Sequence, residues 1–347
     1  MIGKFYPPHA GHHGLVRAAA VAAERVTVVV MAASVESLSL ADRVAWMREI
    51  HAPDVNVSVT GIADDFPVDM NSDAIWQAHV DLMKQAVAGI TNEPVDAVLT
   101  PEAYGDELAR RFDARLLPAP PRLGYTSGTL ARADVAAQWR WLEPCVRAHL
   151  ALRVVLVGAE STGKTTLAAE IAARLRERGG AFGAVEWVGE VGRDATAAKI
   201  EAAGEHASAT EISWDTPDFI TIARAQAAAE EAAARRGGPI LICDTDAFAT
   251  GIWHERYMGR RDPTVEAAGK AAPFHLYLLT HHEDVAFVDD GLRDGEHIRA
   301  WMTETFATRL PGRAWQWLRG TRKARLERAL QLINTAFQAR RFADPLG

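Results

Sequence analysis

The stretch from Leu152 to Thr165 reads LRVVLVGAESTGKT, and it indicates the fold class of the C-terminal half of the chain. Its opening residues form an apolar, β-branched run that is typical of a strand buried on both faces of a parallel sheet. A glycine-containing turn follows, and then a helix predicted from Lys164 to Arg178. A strand, a glycine turn and a helix in this order predict an α/β domain whose helix N-terminus faces a phosphate group.

The turn itself has the composition of a phosphate-binding P-loop. It fits the pattern G-x-x-x-x-G-K-[ST] at every position. Glycines allow backbone N–H groups to turn inward around phosphate oxygens. Lys164 is predicted to reach the β- and γ-phosphates of ATP, and the Thr165 hydroxyl to bind Mg²⁺. The residues predicted to hold ATP here are Gly158, Ser161, Thr162, Gly163, Lys164, Thr165 and Thr166.

Charged residues that follow later strands are candidates for phosphoryl transfer. Asp244 follows the apolar run PILIC and is a second candidate Mg²⁺ ligand. Arg293, in the segment DDGLRD at 289–294, is predicted to neutralise charge on the moving phosphoryl group. Glu190 follows the strand predicted at Val185–Val188, where acceptors bind in open α/β sheets. Either Glu190 or Asp244 would serve as the base toward the acceptor hydroxyl, and the sequence leaves both possibilities open.

A second, unrelated phosphate-binding pattern lies near the N-terminus, in GKFYPPHAGHH from Gly3 to His13. Two histidines at a helix start donate to a triphosphate while the backbone approaches it closely. A separate element, TSGTLAR from Thr126 to Arg132, offers hydroxyl groups and a guanidinium as a second part of the cradle. The residues predicted to bind nucleotide in this half are Gly3, Lys4, Phe5, His9, Gly11, His12, Ser127, Thr129 and Arg132.

Composition limits the classes of function. The chain has 347 residues, which is enough for two domains, and 48% of them are hydrophobic. The net charge of −7 argues against broad binding of nucleic acid. No apolar stretch reaches the roughly 20 residues that span a bilayer, and the two cysteines lie in apolar runs. We therefore expect a cytoplasmic enzyme without a nucleic-acid or membrane partner.

Strand-like and helix-like stretches alternate along both halves, which predicts a doubly wound parallel sheet in each. We place one domain at 1–150 and the other at 151–347, and expect a helix break at Pro144. The other predicted strands and helices are Val26–Ala33, Ala41–Ile50, Val55–Ile62, Asp73–Gly89, Ala97–Thr100, Thr216–Arg236, Pro239–Cys243, Phe274–Thr280, Ala314–Leu318 and Thr321–Arg341.

The motifs and their order resemble a known family. GKFYPPHAGHH followed by SGTLAR resembles the nucleotidyltransferase superfamily that has the HxGH motif. With GAESTGKTTL, DTD and DDGLRD downstream, nearly the whole chain resembles the bifunctional nicotinamide-mononucleotide adenylyltransferase/ribosylnicotinamide kinases of the NadR type. The resemblance implies an HxGH Rossmann-like domain followed by a P-loop kinase domain.

The same resemblance implies two reactions. The kinase domain would use ATP and Mg²⁺ to convert ribosylnicotinamide to nicotinamide mononucleotide. The adenylyltransferase domain would join that product to AMP, which gives NAD⁺ and pyrophosphate. His9 and His12 would then bind ATP phosphates, with Ser127, Thr129 and Arg132 completing the cradle.

Two departures and two alternatives accompany this interpretation. Only Met1 and Ile2 precede Gly3, so we expect either a short first strand or a start that lies upstream. The chain shows no helix-turn-helix segment like that of some family members, so a repressor role is not expected.

One alternative is a coenzyme A synthase-like fusion of phosphopantetheine adenylyltransferase and dephospho-coenzyme A kinase. The other is a non-catalytic regulator that senses ATP and NAD⁺. The sequence leaves open a homo-oligomer and the preference between nicotinamide and nicotinate.

Overall fold

The computed structural model describes residues 1–69, 71–204, 207–268, 274–288, 290, 293 and 295–344. The chain divides into two compact units. The first unit contains Met1–Val146 and the described C-terminal residues from Arg341, and the second contains Arg147–Arg340. The sequence analysis assigns all of 151–347 to one domain, whereas the structure groups the described residues from Arg341 onward with the first unit. This segment contacts residues that lie hundreds of positions away in the chain, and a local sequence pattern cannot reveal such contacts.

The elements up to Leu150 alternate between short strands and helices. The strands are β1 (Ile2–Gly3), β2 (Val26–Ala32), β3 (Val57–Ala63), β4 (Ala97–Leu99) and β5 (Arg115–Leu117). The helices are α1 (Ala10–Ala22), α2 (Leu40–Ile50), α3 (Asp73–Ala88), α4 (Gly105–Phe112), α5 (Gly128–Ala133), α6 (Val135–Gln138) and α7 (Pro144–Leu150). The helix break expected at Pro144 is present, because α7 begins there.

The first unit contains two parallel sheets among its described residues. One has the order β1-β2-β3 and the other pairs β4 with β5. Alternate side chains of β2 point to opposite faces, as strand geometry requires. Val28 and Val30 pack in one apolar cluster with Val16 of α1 and Met47 of α2. Val29 and Met31 of β2 pack in another cluster, which contains Val80, Met83 and Ala86 of α3 and Leu108 and Ala109 of α4. Helices therefore cover both faces of this sheet, as a doubly wound layer predicts.

The first strand is short and runs directly into the histidine-containing loop. Ile2 pairs with Val29 and Gly3 with Val30 of the neighbouring strand β2. The N-terminal ammonium of Met1 donates to the carbonyl oxygen of Thr27 at 2.9 Å. These contacts bring the loop after Gly3 to the carboxyl end of the parallel strands, where open α/β sheets bind ligands.

The second unit contains a single five-stranded sheet in its described residues. Its strands are β6 (Leu152–Val157), β7 (Glu186–Val188), β8 (Ile240–Asp244), β9 (His275–Thr280) and β10 (Trp315–Leu318). Its helices are α8 (Lys164–Arg176), α9 (Val191–Ala203), α10 (Thr216–Arg236), α11 (Ala247–Met258), α12 (Pro263–Ala268), α13 (Arg299–Arg309) and α14 (Arg322–Ala339). The strand order is β10-β9-β6-β8-β7, and every pair is parallel. The P-loop strand β6 is therefore central.

Helices cover both faces of this sheet as well. Leu156 of β6 belongs to a buried cluster with Ile171 of α8 and Ile333 of α14. On β9, the ring of Tyr277 contacts Phe248 of α11, with ring centroids 5.6 Å apart. The α/β, doubly wound architecture expected from the sequence is confirmed. Within the described part of the chain, no helix combines the length and the apolar character needed to cross a membrane.

Candidate active sites

The P-loop connects β6 to α8, and glycine conformations give it its shape. Gly158 has a φ of 143° and Gly163 a φ of 79°, both in the region that favours glycine. A Cβ atom on Gly158 would lie 2.3 Å from the Thr280 hydroxyl oxygen, which leaves no room for a side chain. The loop therefore folds closely around the N-terminus of α8, the position at which a helix stabilises an anion.

Lys164 is the first residue of α8, and its side chain folds back into the loop. Its Nζ donates to the carbonyl oxygens of Gly158 at 3.1 Å and Ala159 at 2.9 Å. Only 8% of the residue is exposed. The two carbonyls satisfy the ammonium inside the P-loop, within reach of phosphates that the same loop would bind.

Asp244 and Thr165 fit a Mg²⁺ ion. Asp244 ends β8 and is 1% exposed, and its Oδ1 has no hydrogen-bond partner among the residues that the structure describes. Burial raises the pKa of Asp244, whereas Lys164, the Thr165 hydroxyl and Arg193 act in the opposite direction. A buried carboxylate oxygen left unpaired beside a hydroxyl is a suitable oxygen ligand set for Mg²⁺, which keeps most of its other ligands as water or phosphate.

Asp246, two residues after Asp244, has a structural role. Its carboxylate accepts from the backbone N–H of Ala249 at 2.9 Å and from the Tyr277 hydroxyl at 2.5 Å. It is the N-cap of α11. A capping carboxylate of this kind stabilises a helix start, so Asp244 is the acid of this pair that remains available to a metal.

Glu190 lies at the carboxyl end of the sheet, in the loop between β7 and α9. It lines the same cleft as Lys164 and Thr165. Loss of hydration raises the pKa of Glu190 to about 7, with Lys164 lowering it and Asp244 raising it further. A carboxyl group with this pKa exchanges protons near neutral pH, as a general base must.

Arg293 also contacts the P-loop. Its guanidinium donates to the Val288 carbonyl oxygen at 2.6 Å and lies 3.4 Å from the Ser161 hydroxyl oxygen. It also pairs with Asp290 at 3.3 Å, and Asp290 pairs with Arg193 at 2.5 Å. The remaining residues of the DDGLRD segment, Asp289, Gly291, Leu292 and Asp294, lie outside the described residues. Arg293 therefore lies beside Ser161 of the P-loop.

The cleft beside the P-loop has an aromatic wall that sequence reasoning identified only in part. The cleft has a volume of about 980 Å³ including its open mouth, and Trp214, Phe219, Trp253 and Tyr257 line it. The Trp214 ring lies 5.4 Å from that of Phe219 and 5.7 Å from that of Tyr257. Among the tryptophans, the sequence favours Trp76, Trp187 and Trp214 for stacking on a ligand ring, and Trp214 is the one of these three that lines the cleft. The i, i+4 spacing of Trp253 and Tyr257 on α11 is a signal that would have identified those two.

Glu160 connects the P-loop to this wall, a connection that the sequence does not reveal. Its carboxylate pairs with Arg256 of α11 at 2.9 Å and accepts from the Gly295 N–H at 2.8 Å. The Arg256 guanidinium lies 4.6 Å from the centroid of the Tyr257 ring. Glu160 therefore fixes α11, and with it the aromatic wall, relative to the phosphate site.

The histidine-containing loop of the first unit is compact and strained. His9 is the N-cap of α1, and its Nδ1 accepts from the Gly11 N–H at 3.2 Å. The rings of His9 and His12 lie 3.8 Å apart, and the Phe5 ring meets His12 edge-on at 4.9 Å. Phe5 has a φ of 47°, which is uncommon for a bulky side chain. A Cβ on Gly11 would lie 3.0 Å from the His9 ring, so a larger residue there would require the ring to shift.

Burial favours the neutral form of both histidines. Burial lowers the pKa of His9 to about 4. Burial also lowers the pKa of His12 well below its usual value, and the nearby His9 and His13 lower it further. Because His9 Nδ1 accepts a hydrogen bond, its Nε2 carries the proton and is the donor available to a ligand. The pair can therefore donate hydrogen bonds to phosphate without carrying charge.

Arg132 brings the two predicted phosphate elements of the first unit together. Its guanidinium donates to the Tyr6 carbonyl oxygen at 2.6 Å and to the Thr129 hydroxyl at 3.4 Å. Ser127 is the N-cap of α5, and its hydroxyl accepts from the Leu130 N–H at 3.1 Å. The structure thus joins TSGTLAR to the histidine-containing loop in one unit.

Arg43 and Glu36 form a buried support for this loop that the sequence analysis missed. The Arg43 side chain is fully buried and pairs with Glu36 at 2.7 Å. It also donates to the Lys4 carbonyl oxygen at 3.0 Å, and Lys4 pairs with Glu36 at 3.5 Å. The sequence signal for a buried ion pair was a charged residue, Arg43, on the apolar stripe of α2 between Leu40 and Met47.

A small cavity lies at the carboxyl end of the first sheet. Lys4, Met31, Ala33, Asp64, Phe66, Val68 and His79 line it. His79 Nδ1 and Asp64 Oδ2 lie 2.7 Å apart. This polar pair beside Lys4 is suited to an acceptor that carries both hydrogen-bonding and anionic groups, and the sequence analysis named only Lys4 of these residues.

Sequence comparison identifies a family model and two relatives. A sequence model of the AAA domain family covers residues 153–328. The trifunctional NAD biosynthesis/regulator protein NadR of Escherichia coli K12 is 24% identical over 312 residues, which is 84% of this chain and 70% of that protein. The corresponding NadR of Salmonella typhimurium LT2 is 24% identical over 311 residues, again 84% of this chain and 70% of the relative.

Solved structures share the fold. A crystal structure of NadR protein in complex with NR has a TM-score of 0.73 at 18% identity, covering 98% of this chain and 96% of the other. A crystal structure of NadR protein in complex with NAD and AMP-PNP has a TM-score of 0.69 at 19% identity, with the same coverage. The resemblance to NadR-type proteins drawn from the sequence is confirmed, and it extends over both units.

Proposed function

The chain belongs to the AAA domain family, and we propose that it is a bifunctional enzyme of NAD biosynthesis with one active site in each unit. The second unit phosphorylates ribosylnicotinamide with ATP. The first unit joins the resulting nicotinamide mononucleotide to AMP, which gives NAD⁺ and pyrophosphate. The observation that carries the proposal is the cleft in which Glu190 and an aromatic wall open onto the P-loop.

Phosphoryl transfer uses residues on both sides of that cleft. The acceptor hydroxyl attacks the γ-phosphorus of ATP, a new P–O bond forms, and the bond to ADP breaks. Glu190 takes the hydroxyl proton, because its pKa of about 7 allows proton exchange near neutrality. Lys164 and Arg293 stabilise the negative charge on the phosphoryl oxygens as the transfer proceeds.

Thr165 and Asp244 would hold Mg²⁺, which neutralises charge on the β- and γ-phosphate oxygens when it is bound. The unpaired Oδ1 of Asp244 supports this assignment. Asp244 then serves the metal and Glu190 serves the acceptor, so the two carboxylates that the sequence left as rivals have separate tasks.

The aromatic wall selects the acceptor. The nicotinamide ring of ribosylnicotinamide carries a positive charge, and a cation over an aromatic face is stabilised by about 0.5–2 kcal/mol. Trp214, Trp253 and Tyr257 offer such faces in the cleft. The wall also takes part in cation–π contacts of its own, since Lys199 Nζ lies 5.0 Å from the centroid of the Trp214 ring.

Adenylyl transfer in the first unit needs charge stabilisation more than a base. The phosphate of nicotinamide mononucleotide is largely ionised near neutral pH, because its second pKa is about 6. One of its oxygens attacks the α-phosphorus of ATP, and pyrophosphate leaves. His9 and His12 donate hydrogen bonds to the triphosphate, and Arg132 supplies positive charge. Lys4 and His79 border the cavity that would take the acceptor.

The relatives support these assignments. The two NadR proteins are described as NAD biosynthesis proteins, and the solved NadR complexes contain NR, or NAD with AMP-PNP. Those ligands match an acceptor, a product and an ATP analogue of the proposed reactions. The regulatory activity in the relatives' names forms no part of the proposal.

Mass spectrometry tests the proposal directly. Purified protein is incubated with ATP, Mg²⁺ and ribosylnicotinamide, or with dephospho-coenzyme A in a parallel reaction. We expect nicotinamide mononucleotide and then NAD⁺ from the first mixture, and no product from the second. Phosphorylation of dephospho-coenzyme A with no reaction of ribosylnicotinamide would favour the coenzyme A alternative. Binding of ATP without turnover in either mixture would favour a regulator.

A further inference from the structure

The described C-terminal residues 341–344, here called the C-terminal strap, pack against the histidine-containing loop of the first unit. The Tyr6 hydroxyl donates to the Ala343 carbonyl oxygen at 2.9 Å. The Phe342 ring meets the Tyr6 ring edge-on, with centroids 6.2 Å apart and an interplanar angle of 89°. Tyr6 and Ala343 are 337 positions apart in the chain.

The contact is a closed ring of hydrogen bonds. The Ser37 N–H donates to the Tyr6 hydroxyl oxygen at 2.9 Å, and the Ala343 N–H donates to the Ser37 hydroxyl at 2.7 Å. With the bond from Tyr6 to Ala343, each of the three residues contacts both of the others. Tyr6 is 2% exposed, so its buried hydroxyl would lose the hydrogen bond to Ala343 if the strap moved away.

Tyr6 in turn contacts the groups that are proposed to bind ATP phosphates. Its carbonyl oxygen accepts from Arg132, and its ring centroid lies 4.3 Å from the guanidinium of Arg43 and 4.9 Å from that of Arg132. The preceding residue, Phe5, has a φ of 47° and packs on His12. A strained backbone of this kind persists only where its surroundings hold it.

We propose that the C-terminal strap is a positioning element for adenylyl transfer, which holds Tyr6 and, through it, Arg132 and the HxGH histidines. This inference rests on the adenylyl-transfer function proposed for the first unit. The strap acts through its contacts with Tyr6 and Ser37. The strap raises the fraction of molecules whose loop is ready to bind ATP, and apparent affinity scales with that fraction.

Hydrogen–deuterium exchange and kinetics of the full-length protein together test the inference. Phe342→Ala removes the ring contact, and Asp344→Ala, at an exposed position of the same segment, is the matched control. We expect exchange in residues 3–12 to rise about tenfold in Phe342→Ala, with exchange in residues 152–165 unchanged. The KM for ATP in adenylylation of nicotinamide mononucleotide should rise about fivefold to tenfold, with kcat within about twofold of wild type. Asp344→Ala should match wild type, and Phe342→Tyr should restore the KM.

The outcomes separate the strap from the function on which it rests. If the wild-type protein transfers no adenylyl group, the proposed function fails, and exchange in residues 3–12 still decides whether the strap holds the loop. Unchanged exchange in that segment of Phe342→Ala overturns the inference. A fall in kcat of both half-reactions with an unchanged KM for ATP would indicate general destabilisation and would also overturn it.

Discussion

Arg132 donates to the carbonyl oxygen of Tyr6 at 2.6 Å, although the two residues are 126 positions apart in the chain. This bond joins the HxGH loop to the TSGTLAR element, which the sequence places far away. Gly128 makes the approach possible, because a Cβ on it would lie 3.0 Å from the same Tyr6 oxygen. The proposed adenylyl-transfer site therefore depends on a guanidinium that is held in one orientation.

Arg132→Lys should lower adenylyl transfer. A lysine cannot contact both the Tyr6 carbonyl and Thr129 while it faces a phosphate, since it lacks the planar fork of arginine. We expect kcat/KM for nicotinamide mononucleotide adenylylation to fall about 10- to 100-fold. Arg110→Lys, at an exposed ion pair with Glu107, is the control and should retain wild-type activity. An unimpaired Arg132→Lys enzyme would remove Arg132 from the site.

Glu190 sets a pH dependence for phosphorylation. Its pKa is raised to about 7, so the base form is scarce at pH 6 and predominates at pH 8. We expect kcat/KM for ribosylnicotinamide to rise about tenfold per pH unit below pH 7 and to level off above it. Glu190→Gln should lose about 100-fold in kcat and show no such rise.

The stability of Glu190→Gln gives the control for that experiment. The pKa of Glu190 is higher in the folded protein than in the unfolded chain. The stability that this carboxyl group contributes is therefore fully present below the unfolded-state pKa, and it is lost as the pH rises from that value toward 7. At pH 8 the variant should therefore be at least as stable as wild type in urea unfolding. A variant that keeps the wild-type pH profile would assign the base role elsewhere, with Asp244 the next candidate.

Trp253→Ala should weaken acceptor binding. The substitution removes one aromatic face from the cleft, and a desolvated cation–π contact contributes up to about 2 kcal/mol. We expect the KM for ribosylnicotinamide to rise about 10- to 30-fold, with the KM for ATP nearly unchanged. Trp187→Ala is the matched control, since Trp187 is 37% exposed on β7. Equal effects of the two substitutions would contradict a ligand-binding role for the wall.

Gly158→Ala should disrupt the P-loop. Its φ of 143° is unfavourable for alanine, and the new Cβ would meet the Thr280 hydroxyl at 2.3 Å. We expect loss of stability by more than about 1–3 kcal/mol and loss of ATP binding to the second unit. Gly183→Ala is the control, because nothing lies within 4 Å of its added Cβ. Thermal unfolding of both variants would show whether only Gly158→Ala is destabilised.

The fold was predictable where local pattern and burial agree. The strand Leu152–Val157 and the helix Thr216–Arg236 have the bounds that their apolar periodicity and capping residues indicate. Strand β5 was missed, because Arg115–Leu117 is too short to show a period and is mostly exposed. Short elements of this kind depend on contacts with neighbouring strands. The sequence analysis also did not predict helices α4, α9, α11, α12 and α13.

The site residues that belong to contiguous sequence motifs could be predicted from the sequence. Lys164 and Arg132 belong to such motifs. The Tyr6 contacts with Ser37 and Ala343 do not, because they join segments from three parts of the chain. The proposal that Asp244 binds the metal and Glu190 acts as the base depends on burial and on an unpaired oxygen. Residue type alone reveals neither of these.

Two single substitutions show whether the two units carry separable active sites. Lys164→Ala and His12→Ala proteins are each supplied with ATP and Mg²⁺ and with either ribosylnicotinamide or nicotinamide mononucleotide, and products are measured by mass spectrometry. We predict that Lys164→Ala leaves ribosylnicotinamide unreacted yet converts nicotinamide mononucleotide to NAD⁺. His12→Ala should accumulate nicotinamide mononucleotide from ribosylnicotinamide with little NAD⁺. Phosphorylation of ribosylnicotinamide by Lys164→Ala at the wild-type rate would contradict the assignment of the kinase reaction to the P-loop. Loss of both reactions in either variant, with folding intact, would show that the two sites are not separable.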